Sequence, residues 1–287
     1  MARNCYYCSW CYSCGTKIAD MLNFLKTSKS VLKKIVKNIV DKIVPLDTYI
    51  RYQQKLMNRL WEEEVIPKYA YVSLQNELSL ALLRTKSQSA IAQYKNAKDL
   101  LVNIGAGSLG KPRWVNVDLY DAPGINCIYD CRQSLPFPDN SVKGIFTEHF
   151  FEHIDYIEEV PCFLSECHRV LQPGGVIRII VPDAEKYLNG YCKAGWEELS
   201  KTRPLDSEHT DFYFNFKYNT KIQLINFVFR QNYEHKYAYD YETLELILSK
   251  SGFSSVQRQE FGKSLMDELC IDQQIRASES LYVEAVK

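Results

Sequence analysis

Between residues 99 and 153 the chain sets a glycine triplet, several acids and a pair of histidines at short intervals. The stretch Asp99-Leu-Leu-Val-Asn-Ile-Gly-Ala-Gly-Ser-Leu-Gly110 runs an apolar strand candidate straight into Gly105-x-Gly107-x-x-Gly110. Glycines at such a turn let the backbone bend sharply and approach a ligand with no Cβ in the way. A second strand candidate, residues 114–119, starts four residues after Gly110 and carries Asp118 and Leu119 at its end. A carboxylate there can accept from both hydroxyls of a ribose. The spacing disfavours NAD. In a dinucleotide fold the ribose-binding acid follows the glycines by about 20 residues, across a long helix for which this chain has no room. A third acid, Asp130, lies in the polar loop of residues 127–141, where it can accept from an adenine amino group.

Two further patterns spell metal ligands. Cys5, Cys8, Cys11 and Cys14 form C-x2-C-x2-C-x2-C, four thiolates able to hold zinc or an iron–sulfur cluster. The gaps match neither a zinc ribbon nor the iron–sulfur run, so no metal is expected there. Palmitoylation beside a basic helix, or a true start at Met21, are other readings of this stretch. His149-x-x-Glu152-His153 spells an inverted zinc-protease motif, but zinc needs both histidines on one helix and these letters follow a strand. No metal is expected there either, and His153 is assigned to packing or capping at the start of a helix. The other six cysteines, Cys127, Cys131, Cys162, Cys167, Cys192 and Cys270, are scattered and read as reduced, buried thiols.

The elements that must position these groups follow from periodicity. Residues 18–44 read as a basic amphipathic helix, with Val31, Leu32, Ile35, Val36, Ile39, Val40 and Ile43 along one face and lysines on the other. Such a helix covers an apolar face of its own protein, or docks on a partner or an anionic membrane. Residues 46–95 continue as polar helices broken near Pro67, and from residue 98 short β-branched runs alternate with helices and glycine turns. That texture places the domain boundary near residue 95. The 35 basic and 35 acidic side chains cancel over the 287 residues, and no dense basic groove accompanies the motifs, so no long nucleic acid is expected as partner. No apolar run reaches the roughly 20 residues of a membrane span, and a cytoplasmic location is expected.

With the motifs in order, the chain resembles a class I S-adenosylmethionine-dependent methyltransferase of the type 11 kind over residues 98–287. The resemblance rests on Leu135-Pro-Phe-Pro-Asp-Asn-Ser141, Glu148-His-Phe-Phe-Glu-His153 and Arg169-Val-Leu-Gln-Pro-Gly-Gly175, following the glycine turn and Asp118. It implies a Rossmann-like α/β sheet, mostly parallel with an antiparallel last strand, helices on both faces, and a helical extension over residues 1–95. S-adenosylmethionine is the implied cofactor. Gly105, Ala106 and Gly107 are then expected at its methionine part, Asp118 and Leu119 at the ribose, and Asp130 and Cys131 at the adenine. Glu148 and His149 are expected near the methyl group. Asn103 stands where the family usually has an acid, so it can hydrogen-bond there but brings no charge.

The segment between Asp183 and Tyr241 is expected to choose a small acceptor, a metabolite or saccharide, for methyl transfer to O, N or C. It holds eleven aromatics between residues 212 and 241, at least half of them expected in the core, and Asp183, His209 and His235 are candidate bases. The alternative is a protein that binds the cofactor without turnover, docked through its basic helix.

Overall fold

Runs such as Leu-Leu-Val-Asn-Ile and Val-Ile-Arg-Ile-Ile-Val are apolar at successive positions, so both faces of their strands must be covered. In the computed structural model, which describes residues 46–84, 88–132 and 134–287, they form the centre of a seven-stranded sheet. The strands are β1 Leu100–Ile104, β2 Val115–Asp118, β3 Cys127–Ile128, β4 Val142–Glu148, β5 Leu171–Pro182, β6 Ser254–Gln259 and β7 Ser280–Val286. Their order is β3-β2-β1-β4-β5-β7-β6, and β7 alone runs antiparallel, inserted between β5 and β6. This is the Rossmann-like methyltransferase sheet expected from the resemblance. The basic helix of residues 18–44 and the four N-terminal cysteines lie outside the described residues.

Three helices precede the sheet: α1 Leu46–Glu62, α2 Lys68–Arg84 and α3 Gln88–Tyr94. The break before α2 contains Pro67, as the sequence predicts. The chain divides into two compact units at Thr85 and Lys86. In the second, Ala90 and Tyr94 of α3 are buried in the main core, so this unit starts some ten residues ahead of the expected boundary near 95. The later helices are α4 Val160–Val170, α5 Ala184–Cys192, α6 Glu197–Thr202, α7 Lys221–Arg230 and α8 Tyr241–Lys250. Among the described residues no helix is long and apolar enough to cross a membrane.

Gln172-Pro-Gly-Gly175 lies inside β5, which begins at Leu171, and the β4–β5 pairing shifts register there, with Gly174 at φ +79°. One expectation changes. Of the six scattered cysteines, Cys127, Cys131 and Cys167 are buried, while Cys162, Cys192 and Cys270 are exposed. Burial pushes the Cys127 thiol up to about 12, which leaves it inert.

The insertion of β7 brings a buried charge with it. Arg178 on β5 lies opposite Glu284 on β7, and all five of its N–H donors are used. They reach both oxygens of Asp272, Glu284 Oε1 and the carbonyls of Glu260 and Lys263. A fully buried ion triad thereby fastens the segment between β6 and β7 to the sheet.

Candidate active site

The strand order reverses between β1 and β4, and ligands of open α/β sheets enter beyond the carboxyl ends of the strands at that point. Both candidate motifs lie there. The glycine turn leaves β1 with Gly105 at φ +71° and Gly107 at φ +53°. Gly105 and Ala106 amides donate to Val117 O at 3.0 and 3.1 Å, and the Gly107 amide donates to Asp118 Oδ2 at 2.8 Å. Phe150, just after β4, packs on Gly105 so closely that an added Cβ would sit 2.5 Å from its own Cβ. Over Gly107 nothing lies within 4 Å of such an atom, so this backbone faces open space. The third glycine, Gly110, packs instead against the backbone of Gly124.

Asp118 ends β2 where the sequence predicts, and its carboxylate is already largely engaged. Oδ1 accepts from the Leu119 and Tyr120 amides and Oδ2 from Gly107. A carboxylate offers about four lone-pair sites, so one remains for a hydroxyl rather than the two needed for both hydroxyls of a ribose. Asp130 is buried in a bidentate pair with Arg132, at 2.9 and 3.1 Å, and Arg132 also reaches Glu159. An amine at Asp130 must therefore compete with a guanidinium. The Cys131 thiol is buried in the core, leaving its backbone as the part that can face a ligand. Asn103 is buried too and donates at 3.3 Å to Asn116, whose amide group is bonded to the backbone of Lys111.

At the end of β4, Glu148 is held by Gln273, which donates from its backbone at 3.0 Å and its side chain at 2.8 Å. His149 has φ +51°, a conformation disfavoured outside glycine, and is fixed by its amide bond to Ile180 O. Its Nε2 meets Ser280 Oγ at 2.9 Å and its Nδ1 lies 3.3 Å from Glu152. Two small adjoining cavities open beside it, sharing Pro182, Val228 and His235. One is walled by Glu152, Phe229, Tyr237 and Tyr239; the other by His149, Arg203, Phe227 and Glu279.

The second cavity carries a dense ion network that sequence reasoning missed. Arg203 pairs with Asp211 at 2.8 Å and with Glu279 at 2.5 Å, and Arg276 and the Tyr187 hydroxyl also reach Glu279. Burial alone would raise the Glu279 pKa, but Arg203 and the other partners hold it down at about 2. These residues lie up to 92 positions apart, so no local spacing marks them. Gln273 was missed for the same reason, and Phe150, though inside the Glu148–His153 motif, shows its contact with Gly105 only in the fold.

Of the candidate bases, His235 lines both cavities. Asp183 caps α5, accepting from the Glu185 and Lys186 amides, and burial raises its pKa. His209 stacks on Trp196 at 4.0 Å and lines neither cavity. Of the eleven aromatics, Tyr218 and Tyr239 are buried and Phe227, Phe229, Tyr237 and Tyr241 pack against the cores, while Phe212, Phe214, Phe216 and Tyr233 are exposed. Phe214 and Phe216 stay in ring contact with Phe227, so an aromatic surface continues from the second cavity.

Residues 118–179 match a family model described as a methyltransferase domain. No curated protein matches the chain. Among solved structures it is similar to a SAM dependent methyltransferase from Archaeoglobus fulgidus, at 19% identity and a TM-score of 0.39 over 77% of this chain and 100% of that one. It is also similar to a possible histamine N-methyltransferase from Thermotoga maritima, at 16% and 0.37 over 72% and 92%. Against phosphoethanolamine N-methyltransferase 2 from Haemonchus contortus, in complex with S-adenosyl-L-methionine, the values are 14% and 0.36 over 71% and 52%, so the chain spans about half of that protein.

Proposed function

We propose, for a chain whose residues 118–179 match a methyltransferase domain, that it moves a methyl group from S-adenosylmethionine onto an O, N or C atom of a small polar acceptor. One arrangement carries the reading: a glycine turn with open space above Gly107, locked by the acid that ends the neighbouring strand. The residues present fit the cofactor. Gly105, Ala106 and Gly107 offer bare backbone to its methionine part, and Asp118 retains a site for one ribose hydroxyl. The backbone of Asp130 and Cys131 would take the adenine, and Glu148, held by Gln273, ends the strand that pairs with β1.

Bound S-adenosylmethionine supplies a methyl group on a sulfonium, already a good electrophile. The protein's part is therefore alignment and exclusion of water. Phe150 closes one side of the turn, and His149, held in its unusual backbone conformation, lines the second cavity. The neighbouring cavity combines Arg203, Glu279 and Arg276 with the Phe214–Phe216–Phe227 surface, a mixture of charge and aromatic face that suits a saccharide or polar metabolite. His149, which lines this cavity, is the group placed to take a proton from an acceptor hydroxyl.

The test is release of S-adenosylhomocysteine when the full chain is given the donor and fractions of polar metabolites and saccharides. Release that depends on one fraction supports the reading. Donor binding without release in any fraction supports the non-catalytic alternative.

A further inference from the structure

Methyl transfer leaves Glu152 unexplained. Its side chain is buried, the residue only 1% exposed, and neither carboxylate oxygen has a hydrogen-bond partner. A buried carboxylate is costly unless it is paired or binds an ion. The groups facing it are imidazoles: His149 Nδ1 at 3.3 Å, His235 Nε2 at 3.9 Å, and His153, whose ring meets that of His235 edge-on at 4.6 Å. The donor atoms of Glu152, His153 and His235 all lie within 4.8 Å of one another.

The tautomer of His235 sharpens the point. Its Nδ1 lies 2.6 Å from the carbonyl of Val228, which can only accept, so Nδ1 carries the proton. In the neutral ring, Nε2 presents a lone pair towards the Glu152 carboxylate 3.9 Å away, a gap that a cation between the two would fill. A ring fixed by a bond from its far nitrogen to a carbonyl is the usual support of a metal-binding histidine. The backbone holds the two segments together, since the Lys236 amide donates to Glu152 O at 2.7 Å. A second orphan polar atom, the Tyr239 hydroxyl, belongs to a residue lining the same cavity as Glu152 and His235.

We infer that Glu152, His153 and His235 bind one divalent first-row cation of the zinc or manganese kind, with its remaining positions open to that cavity. Two imidazoles and a carboxylate are the donor set such ions take. Tetrahedral bonds of about 2.1 Å set donors about 3.4 Å apart, so the triad contracts by little more than an ångström around the ion. The sequence reading passed over these letters because it sought both histidines of one short motif on a single helix. The third donor instead comes from His235, more than eighty residues on, and Glu152 and His153 come from a 3-10 turn, Phe151–His153.

The four N-terminal cysteines must be silenced before this site is measured. The full chain with Cys5, Cys8, Cys11 and Cys14 replaced by Ser is stripped of metal and titrated with Zn(II) and, separately, Mn(II). One equivalent of either ion is expected, bound at least about 100-fold more weakly after Glu152→Gln or His235→Asn. Near-ultraviolet circular dichroism of each variant reports folding, so a misfolded one is replaced by His153→Asn. Failure of the parent to bind either ion, or equal affinity in parent and folded variants, overturns the site. Neither readout involves methyl donor or acceptor, so the result is independent of the proposed activity.

Discussion

Asp118 Oδ2 accepts a 2.8 Å hydrogen bond from the Gly107 amide, so the acid that ends β2 also sets the turn that leaves β1. One carboxylate thereby joins two adjacent parallel strands at the edge where ligands enter. Its remaining lone pair is what the proposed donor uses.

Asp118→Ala removes both functions at once. The variant is expected to bind S-adenosylmethionine about 1–3 kcal/mol more weakly, or roughly 5–150-fold by calorimetry. Asp118→Asn, which keeps an acceptor for Gly107, is expected to lose less. Unchanged affinity in both variants removes Asp118 from the ribose.

Gly105→Ala meets two obstacles, a φ of +71° and the side chain of Phe150. The expected loss is about 2–4 kcal/mol of folding stability, measured by urea unfolding. The double variant Gly105→Ala, Phe150→Ala is expected to regain part of it, because only the steric share is relieved.

Arg178→Met leaves Asp272 and Glu284 buried without their counter-charge. A cost of about 3–5 kcal/mol is expected. Replacing all three residues with apolar side chains of similar volume is expected to cost much less, since no charge is then stranded. A single substitution that unfolds no more easily than wild type contradicts the account of the β5–β7 pairing.

Glu279 gives the acid limb of stability a particular origin. Folded, its carboxyl is held at about 2, against an ordinary value of 4.5, by Arg203 and its neighbours acting against burial. Its contribution, about 3 kcal/mol, is present in full above pH 4.5 and drains away as pH falls towards 2. Glu279→Gln should flatten the pH dependence of the melting temperature in that window, while the wild type falls through it.

The sheet was legible because its signals are local. The strand runs at 100–104 and 115–118 and the helix break at Pro67 stand where the apolar runs and the proline put them. The glycine turn and Asp118 were legible for the same reason: eleven residues separate Gly107 from its partner. What stayed hidden depends on distance along the chain. Gln273 reaches Glu148 across 125 residues, Glu279 reaches Arg203 across 76, and His235 arrives beside Glu152 only through the fold. Asp130 looked free for a ligand because nothing in its spacing shows that Arg132 turns back onto it.

Calorimetric titration of the purified chain with S-adenosylmethionine and, separately, NAD, in wild type and Gly105→Arg, tests the central claim most directly. The account predicts binding of S-adenosylmethionine alone, lost in the variant, because an arginine at Gly105 fills the turn against Phe150. Binding of NAD, or S-adenosylmethionine affinity that survives the substitution, would contradict it.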